Sequence, residues 1–398
     1  MKDLKIFTNN IEEQAKEQIN LLLEQEAFKN CKVRIMPDVH AGAGCVIGFT
    51  GNLGDKVIPN IVGVDIGCGM LCINLGNIEI DFEKLDNVIK TNIPSGMNVR
   101  TKPIEYSKDY INEIFCKDEL KNKGNWLEKS LGSLGGGNHF IEIDIDDENN
   151  KYLIIHTGSR NLGKQVAEIY QSKAIEYCSY KEEMEQETKK VIQEYIETGK
   201  SKFIQQALVD IRLKYAGKTK LPKDLCYLEN NLRQEYLHDM KICQKFAYRN
   251  RIEIAETILK NMNWNYIDSF QSVHNYIDFN DNIVRKGSIS AKKGQRVIIP
   301  MNMRDGCIIG IGKGNNDWNC SAPHGAGRTM SRNMAKQTLN MKDFENSMKG
   351  IYTTSVSKDT IDESPMVYKP MEEILKYIDD TIEVDKIIKP IYNFKAGE

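Results

Sequence analysis

Val62-Gly63-Val64-Asp65-Ile66-Gly67-Cys68-Gly69-Met70 sets a carboxylate and a thiol three residues apart, among glycines at 63, 67 and 69. The apolar run Val57 to Val64 that leads into it reads as a buried strand. Glycines at its end let the backbone turn sharply, so that Asp65 and Cys68 can point at one spot. A carboxylate beside a thiolate suits a divalent transition metal, and a thiolate can bridge two ions. A buried cysteine in a Gly-rich turn would look the same from this stretch alone, so the histidines elsewhere decide between the two readings.

Outward from this stretch, the chain reads as strands and helices in mixed order. Residues 11 to 29 carry an amphipathic helical pattern, capped by Asn9 or Asn10. Cys31 to Met36 reads as a strand running into a loop, Pro37 to Gly44. Val46 to Phe49 and Val57 to Leu75 supply more strand. Phe140 to Ile145 and Tyr152 to Ile155 form a hairpin around the acidic turn Asp146 to Asn150. A charged helical region spans about 162 to 200, and residues 231 to 262 form the clearest helix, with Leu232, Tyr236, Met240, Cys243 and Ala247 facing a core. Asn282 to Ser290, Arg296 to Pro300 and Cys307 to Gly312 read as strands, and Thr329 to Gly350 and Met371 to Lys386 as helices.

The chain has 398 residues and a formal net charge of -2. That near-balance excludes neither a globular enzyme nor a nucleic-acid partner, for which a local basic groove is what matters. The ten cysteines are scattered, with no signal-peptide pattern, and no apolar run reaches membrane-spanning length. These features point to a reducing cytoplasm. No repeat or low-complexity linker appears. Residues able to do chemistry run from Asp65 to His324, so one interleaved domain over residues 1–398 is expected.

Histidine is scarce, six in all: His40, His139, His156, His238, His274 and His324. His238 falls inside the long helix and reads as polar surface. The others sit in loops or at strand ends, which favours a shared site over five unrelated structural histidines. Gly135-Gly136-Gly137-Asn138-His139-Phe140-Ile141-Glu142 allows close backbone approach to a phosphate or metal, with Asn138 and Glu142 placed to hydrogen-bond a ligand. His156-Thr157-Gly158-Ser159-Arg160 puts a guanidinium, shaped to grip phosphate, four residues after an imidazole. Val273-His274-Asn275-Tyr276 adds another imidazole. Asp65, Cys68, His139, His156 and His274 are the right types and number for two metals sharing a thiolate. Pro323-His324-Gly325-Ala326-Gly327-Arg328 precedes the expected helix at Thr329. It puts a histidine able to attack phosphorus beside a helix start, with Arg328 and Arg332 about one turn apart.

Taken together, MPDVHAG, VGVDIGCGM, GGGNHFIE, HTGSR, HNYI, KGSISA, HGAGR, SPMVYKP and YNFK closely resemble the RtcB family, the GTP-dependent RNA ligases that join a 3'-phosphate or 2',3'-cyclic phosphate end to a 5'-hydroxyl. The resemblance spans most of the chain. It implies a single α+β domain around a deep central metal cleft and a role in RNA repair or tRNA splicing. It implies two manganese ions bridged by Cys68, with Asp65 and His139 completing one site and His156 and His274 the other. It implies that His324 becomes guanylylated, and that Asn138, Phe140, Glu142, His274, Asn275, Pro300, Gly325, Ala326, Gly327, Tyr368 and Lys395 surround the GTP. Arg160, Arg328 and Arg332 match positions expected near the RNA phosphate, and an activating protein partner is a further expectation. One departure stands out. Where the family commonly carries PGSMG, this chain has Pro300-Met301-Asn302-Met303-Arg304-Asp305-Gly306. Two rival readings use the same residues differently: a dinuclear metal-dependent phosphoesterase or nuclease, which would not need His324 or Lys395, and a non-catalytic RNA-end-binding protein.

Overall fold

The computed structural model describes residues 3–397 and shows an α+β protein. The largest sheet has the strand order Arg296–Asn302, Gly306–Gly312, Ile382–Lys395, Phe140–Ile145, Lys151–Thr157, Gly69–Gly76, Asp268–Val273, with Tyr352–Thr353 pairing along Ile382–Lys395. Its two edges come close to meeting. The Ile298 N–H donates to Ser272 Oγ at 3.1 Å, and Arg296 reaches Asp268 Oδ1 at 2.8 Å. This near-closure makes a barrel-like wall whose inner face carries Met70, Cys72, Tyr152, Ile154, Ile298, Cys307, Ile309 and Ile388. A five-stranded sheet, in the order Asp3–Ile6, Lys32–His40, Ile47–Asn52, Ile283–Lys286, Asn275–Asp278, lies alongside, and Ser288–Ser290 pairs with Ser321–Pro323. The strand Asp268–Val273 ends one residue before His274, and Asn275–Asp278 starts one residue after it, so the two large sheets meet at that histidine.

The helix Asn230–Met262 runs 33 residues across the back of both sheets. Its apolar row Tyr236, Met240, Cys243 and Ala247 is buried as its spacing predicts. The same face continues as two buried polar residues, and these organise the site. Arg251 Nη1 donates to the carbonyls of Gly67 (2.8 Å) and Thr157 (2.7 Å), the neighbours of Cys68 and His156. Asn250 accepts from the N–H of Gly132 (2.7 Å) and donates to Gly158 O (3.2 Å). One helix thus clamps three site loops through carbonyls and amides that would otherwise be buried without partners.

Several local expectations change. The run Val57 to Val64 is not a strand: Val57 makes one bridge to Leu228, and Pro59–Val62 forms a single helical turn with Pro59 in its first turn. Proline has no N–H to give a ladder but is pre-set for a helix start. The strand begins only after the turn, at Gly69. Conversely, the expected loop from Pro37 is strand as far as His40, with Pro37 accommodated where the register with the next strand shifts, between Ile35 and His40. The first helix starts at Glu13 with Glu12 at its cap position, and neither Asn9 nor Asn10 caps it. The charged region divides into helices Arg160–Tyr177 and Lys181–Glu197. Thr329 to Gly350 divides into Arg332–Thr338 and Met341–Ser347, each opened by a side-chain cap, Ser331 and Asn340. The final expected helix stops at Ile378, and Ile382–Lys395 is instead a 14-residue strand at the centre of the large sheet. No helix among the described residues is long and apolar enough to cross a membrane. All ten cysteines are free thiols.

Candidate active site and metal centre

The turn Asp65 to Cys68 brings its thiol onto the inner end of the wall, where His139, His156 and His274 converge on it. Cys68 Sγ lies 3.5 Å from His139 Nε2 and 3.3 Å from His156 Nε2. His156 Nε2 is 3.3 Å from His274 Nε2, and Asp65 Oδ2 is 2.9 Å from His139 Nε2. The donors form two triads, Asp65–Cys68–His139 and Cys68–His156–His274, with the thiol common to both. The backs of two imidazoles are tied down: His139 Nδ1–H donates to Leu134 O and His156 Nδ1–H to Asn138 O, each at 3.0 Å. That fixes the tautomer, so the Nε2 lone pairs face inward. Gly158 makes room for this arrangement, since a Cβ there would sit 2.0 Å from Asp65 Oδ1.

Electrostatics agree with a cation-binding cluster. Burial, reinforced by neighbouring imidazoles, holds His156 and His274 well below the usual histidine range, so both are neutral imidazoles at neutral pH. Burial acts to raise the Asp65 carboxyl, but His139 beside it outweighs this and keeps it below its ordinary value. Burial and the nearby Asp65 push the Cys68 thiol well up. Converging imidazole nitrogens and a carboxylate, around a thiol whose proton only a cation would readily displace, are what a divalent cation site requires.

His324 follows the strand Ser321–Pro323, and its ring centroid lies 4.8 Å from that of His274. Its Nδ1–H donates to Asp38 Oδ2 at 2.6 Å. The same oxygen accepts the backbone N–H groups of His324 (3.0 Å) and Gly325 (3.2 Å), and Asp38 is fully buried. Asp38 therefore orients the ring and leaves Nε2 with its lone pair. This corrects the helix-start rationale for His324. The nearest following helix begins at Arg332, and the two amides beside His324 are already given to Asp38. The Asp38 carboxylate provides the positioning expected of a helix N-terminus.

A cavity of about 600 Å³ opens on His324. Every residue expected around the nucleotide lines it: Asn138, Phe140, Glu142, His274, Asn275, Pro300, Gly325, Ala326, Gly327, Tyr368 and Lys395. His156, Arg328 and Arg332 line it as well. Met301 and Met303, from the departing 300–306 segment, contribute to its wall, as does Asn302. Asp65, Cys68, His139 and Arg160 lie outside the lining of this cavity, with the Asp65 side chain partly exposed. Arg160 has a left-handed φ of 58°, its guanidinium donating to Ser133 Oγ (3.1 Å) and Gly96 O (3.2 Å). Gly135 is the glycine this placement requires, because a Cβ there would meet Arg160 Nη1 at 1.9 Å. The three arginines are therefore not grouped. Arg328 and Arg332 stand across the cavity, bound to Asp362 and Glu363.

Three residues of the site carried no role in the sequence reading. Asp38 and His40 lie within the quoted MPDVHAG stretch, and His40 Nδ1–H donates to Asp38 O at 2.9 Å. Glu363, just before SPMVYKP, accepts from Tyr368 OH at 2.6 Å and pairs with Lys395 Nζ at 3.1 Å. Burial raises its carboxyl, but Lys395 and Arg332 outweigh that and bring it down to about 2, so it is an anion that holds three cations in place.

The fold and site define an α+β protein with a cluster of thiol, carboxylate and imidazole groups able to hold metal ions at the foot of a cleft, next to a histidine oriented by a carboxylate. The family profile described as tRNA-splicing ligase RtcB matches residues 24–129 and 116–396, and the chain belongs to the RtcB family. It is 29% identical to the RNA-splicing ligase RtcB of Escherichia coli K12 over 438 aligned residues, covering 99% of this chain and 97% of that protein. It is 26% identical to the tRNA-splicing ligase RtcB of Nanoarchaeum equitans (89% and 85% covered) and 24% identical to that of Aeropyrum pernix (85% and 82% covered).

Proposed function

We propose that this protein is a GTP- and manganese-dependent RNA ligase that joins a 3'-phosphate or 2',3'-cyclic phosphate end to a 5'-hydroxyl through a histidine–GMP intermediate. The observation that carries the reading is the Asp38–His324 pair facing a nucleotide-sized cavity beside the shared-thiolate cluster. A phosphoesterase built on the same ligands has no use for a carboxylate that aims an imidazole Nε2 into that cavity.

The chemistry follows from the residues. His324 Nε2 attacks the α-phosphorus of GTP, forming a P–N bond as the bond to pyrophosphate breaks, while Asp38 keeps Nδ1–H engaged and stabilises the developing imidazolium. Asp65, Cys68, His139, His156 and His274 would hold two divalent ions, which supply phosphate neutralisation and alignment. A 3'-phosphate oxygen of the RNA then takes the GMP from His324, and the resulting pyrophosphate linkage gives the 3'-phosphate a good leaving group. Attack by the 5'-hydroxyl makes the phosphodiester and releases GMP. A cyclic phosphate would be hydrolysed to the 3'-phosphate beforehand. Lys395 and Tyr368, held by Glu363, would bind the nucleotide together with Glu142 and Phe140. Arg160 near Asp65, and Arg328 and Arg332 lining the cavity, would bind RNA phosphate. Manganese is the family's ion; the donor set would also accept zinc or cobalt.

The test is joining of a 3'-phosphate RNA to a 5'-hydroxyl RNA with GTP and manganese, run beside His324→Ala. Joining by the native protein and none by the variant is expected. RNA cleavage without joining, equal in both, would favour the phosphoesterase reading.

A further inference from the structure

Behind the cavity, inside the near-closed wall, two carboxyl groups lie together. Glu142 and Asp144 are successive inward residues of the strand Phe140–Ile145, and both are buried. One oxygen of each and Cys307 Sγ all fall within 4.8 Å of one another. Glu142 lines the cavity and Asp144 does not. Asn393 Nδ2 donates to Glu142 Oε2 at 2.5 Å. Neither oxygen of Asp144 is met by an N–H or hydroxyl donor; the donor beside it is the Cys307 thiol, and among the described residues no lysine or arginine pairs with it. The nearby cations are engaged elsewhere: Lys395 with Glu363, Arg296 with Asp268, Lys386 with Asp146. The remaining neighbours are the thiols of Cys307 and Cys72, which burial raises well above the ordinary range and keeps protonated.

Two ionised carboxylates cannot share such a place, because Asp144 lacks a counter-charge and each repels the other. One proton between them resolves this. It turns the orphaned oxygens of Asp144 into a donor and an acceptor, and makes an O–H···O⁻ bond of the strong, charge-assisted kind. We propose that Asp144 is a positioning residue of the nucleotide pocket: its protonated carboxyl donates to the Glu142 carboxylate and holds it as an anionic acceptor facing the N–H edge of the bound base. The assignment rests on the nucleotide reading above. Burial and the Glu142 charge push Asp144 well up, so it is the member that keeps the proton. Burial also raises Glu142, to about 7, against the opposing hydrogen bonds from Asp144 and Asn393 and the charge of Lys395. Glu142 therefore gains a proton as pH falls through about 7, and loses its acceptor character. Without the Asp144 donor its pKa would rise further.

The experiment has two arms. In the first, GMP transfer from GTP is followed against pH. The KM for GTP should climb below about pH 7 with kcat at saturation little changed. Asp144→Val, which fills the space but donates nothing, should move that acid limb upward by at least about one pH unit and raise KM at neutral pH about tenfold. Asp144→Asn, which still has an N–H to give, should recover most of both. An acid limb that stays put in Asp144→Val would overturn the proposal. In the second arm, infrared spectroscopy of the whole protein at a pH well above 7, where Glu142 is ionised, should show the carbonyl stretch of a protonated carboxyl that is missing in Asp144→Asn and survives saturating manganese. Absence of that band in a protein that still forms the GMP adduct strikes this inference alone. Its loss on adding manganese would make Glu142, Asp144 and Cys307 a cation site instead, and would also overturn it. If the native protein forms no GMP adduct while the band is present, the nucleotide reading is what falls, and the role assigned to the pair falls with it.

Discussion

Asp38→Asn tests the orientation of His324 without altering the shape of the site. Asp38 Oδ2 accepts three N–H groups, at 2.6, 3.0 and 3.2 Å, in a fully buried position. Asparagine can keep its carbonyl oxygen on the two backbone amides, so the loop at 324–325 should hold. What is lost is the charge-assisted bond to Nδ1–H, worth about 1.5–3 kcal/mol, or roughly 10- to 150-fold in rate if it operates in the transition state. The substitution can also present an amide N–H to Nδ1, which would move the ring proton to Nε2 and block the attacking lone pair. In a Ser–His–Asp triad the same change costs about 10⁴-fold. The expected fall in single-turnover GMP transfer therefore lies between about 10 and 10⁴, with manganese content and melting temperature near native. A rate within about threefold of native would refute the reasoning, since it would mean that Asp38 neither orients the ring nor supports its charge. Asp38→Ala is the poorer probe, because it strands three donors in the interior at about 1–3 kcal/mol each.

Further expectations follow from the same geometry. Cys68→Ala should lower manganese content and abolish both GMP transfer and joining; full stoichiometry would remove its bridging role. Because the native thiol sits well above its ordinary pKa, loading the native protein should release a proton and tighten as pH rises, which titration calorimetry in buffers of different ionisation enthalpy can check. Gly158→Ala would put a methyl 2.0 Å from Asp65 Oδ1 and swing that partly exposed carboxylate outward. The Asp65–His139 site should lose its ion while the other keeps its own, so manganese should fall from about two equivalents to about one. Arg328→Ala should weaken RNA joining at least about tenfold and leave GMP transfer nearly intact. Equal loss of both would assign Arg328 to the nucleotide, in keeping with its contact to Glu363.

The convergence of Asp65, Cys68, His139, His156 and His274 was legible in the sequence because each of these residues carries its own local signature. Asp65, Cys68, His139 and His156 all sit in or beside Gly-rich turns at strand ends, and a chain with six histidines has few others to offer. The partner of His324 was not legible, since no pattern relates positions 286 residues apart; only the packing of the strand Lys32–His40 against the 323–325 turn joins them. Arg251 and Asn250 were hidden differently. They continue the apolar row of the long helix, where a polar residue looks like the end of the buried face instead of a clamp on the loops beyond it. The strand Ile382–Lys395 was misread because its first half, Ile382 to Lys386, alternates poorly and follows directly on an amphipathic helix. Val57 to Val64 was misread because apolar composition alone outweighed the proline at 59.

The most direct measurement is the site of nucleotide attachment. The native protein, incubated with manganese and GTP labelled at the α-phosphate, should become covalently labelled, and peptide mapping should place the GMP on His324 as an acid-labile, base-stable phosphoramidate. Label on Lys395 or another lysine, or no label in a protein that nevertheless joins a 3'-phosphate to a 5'-hydroxyl, would contradict the account.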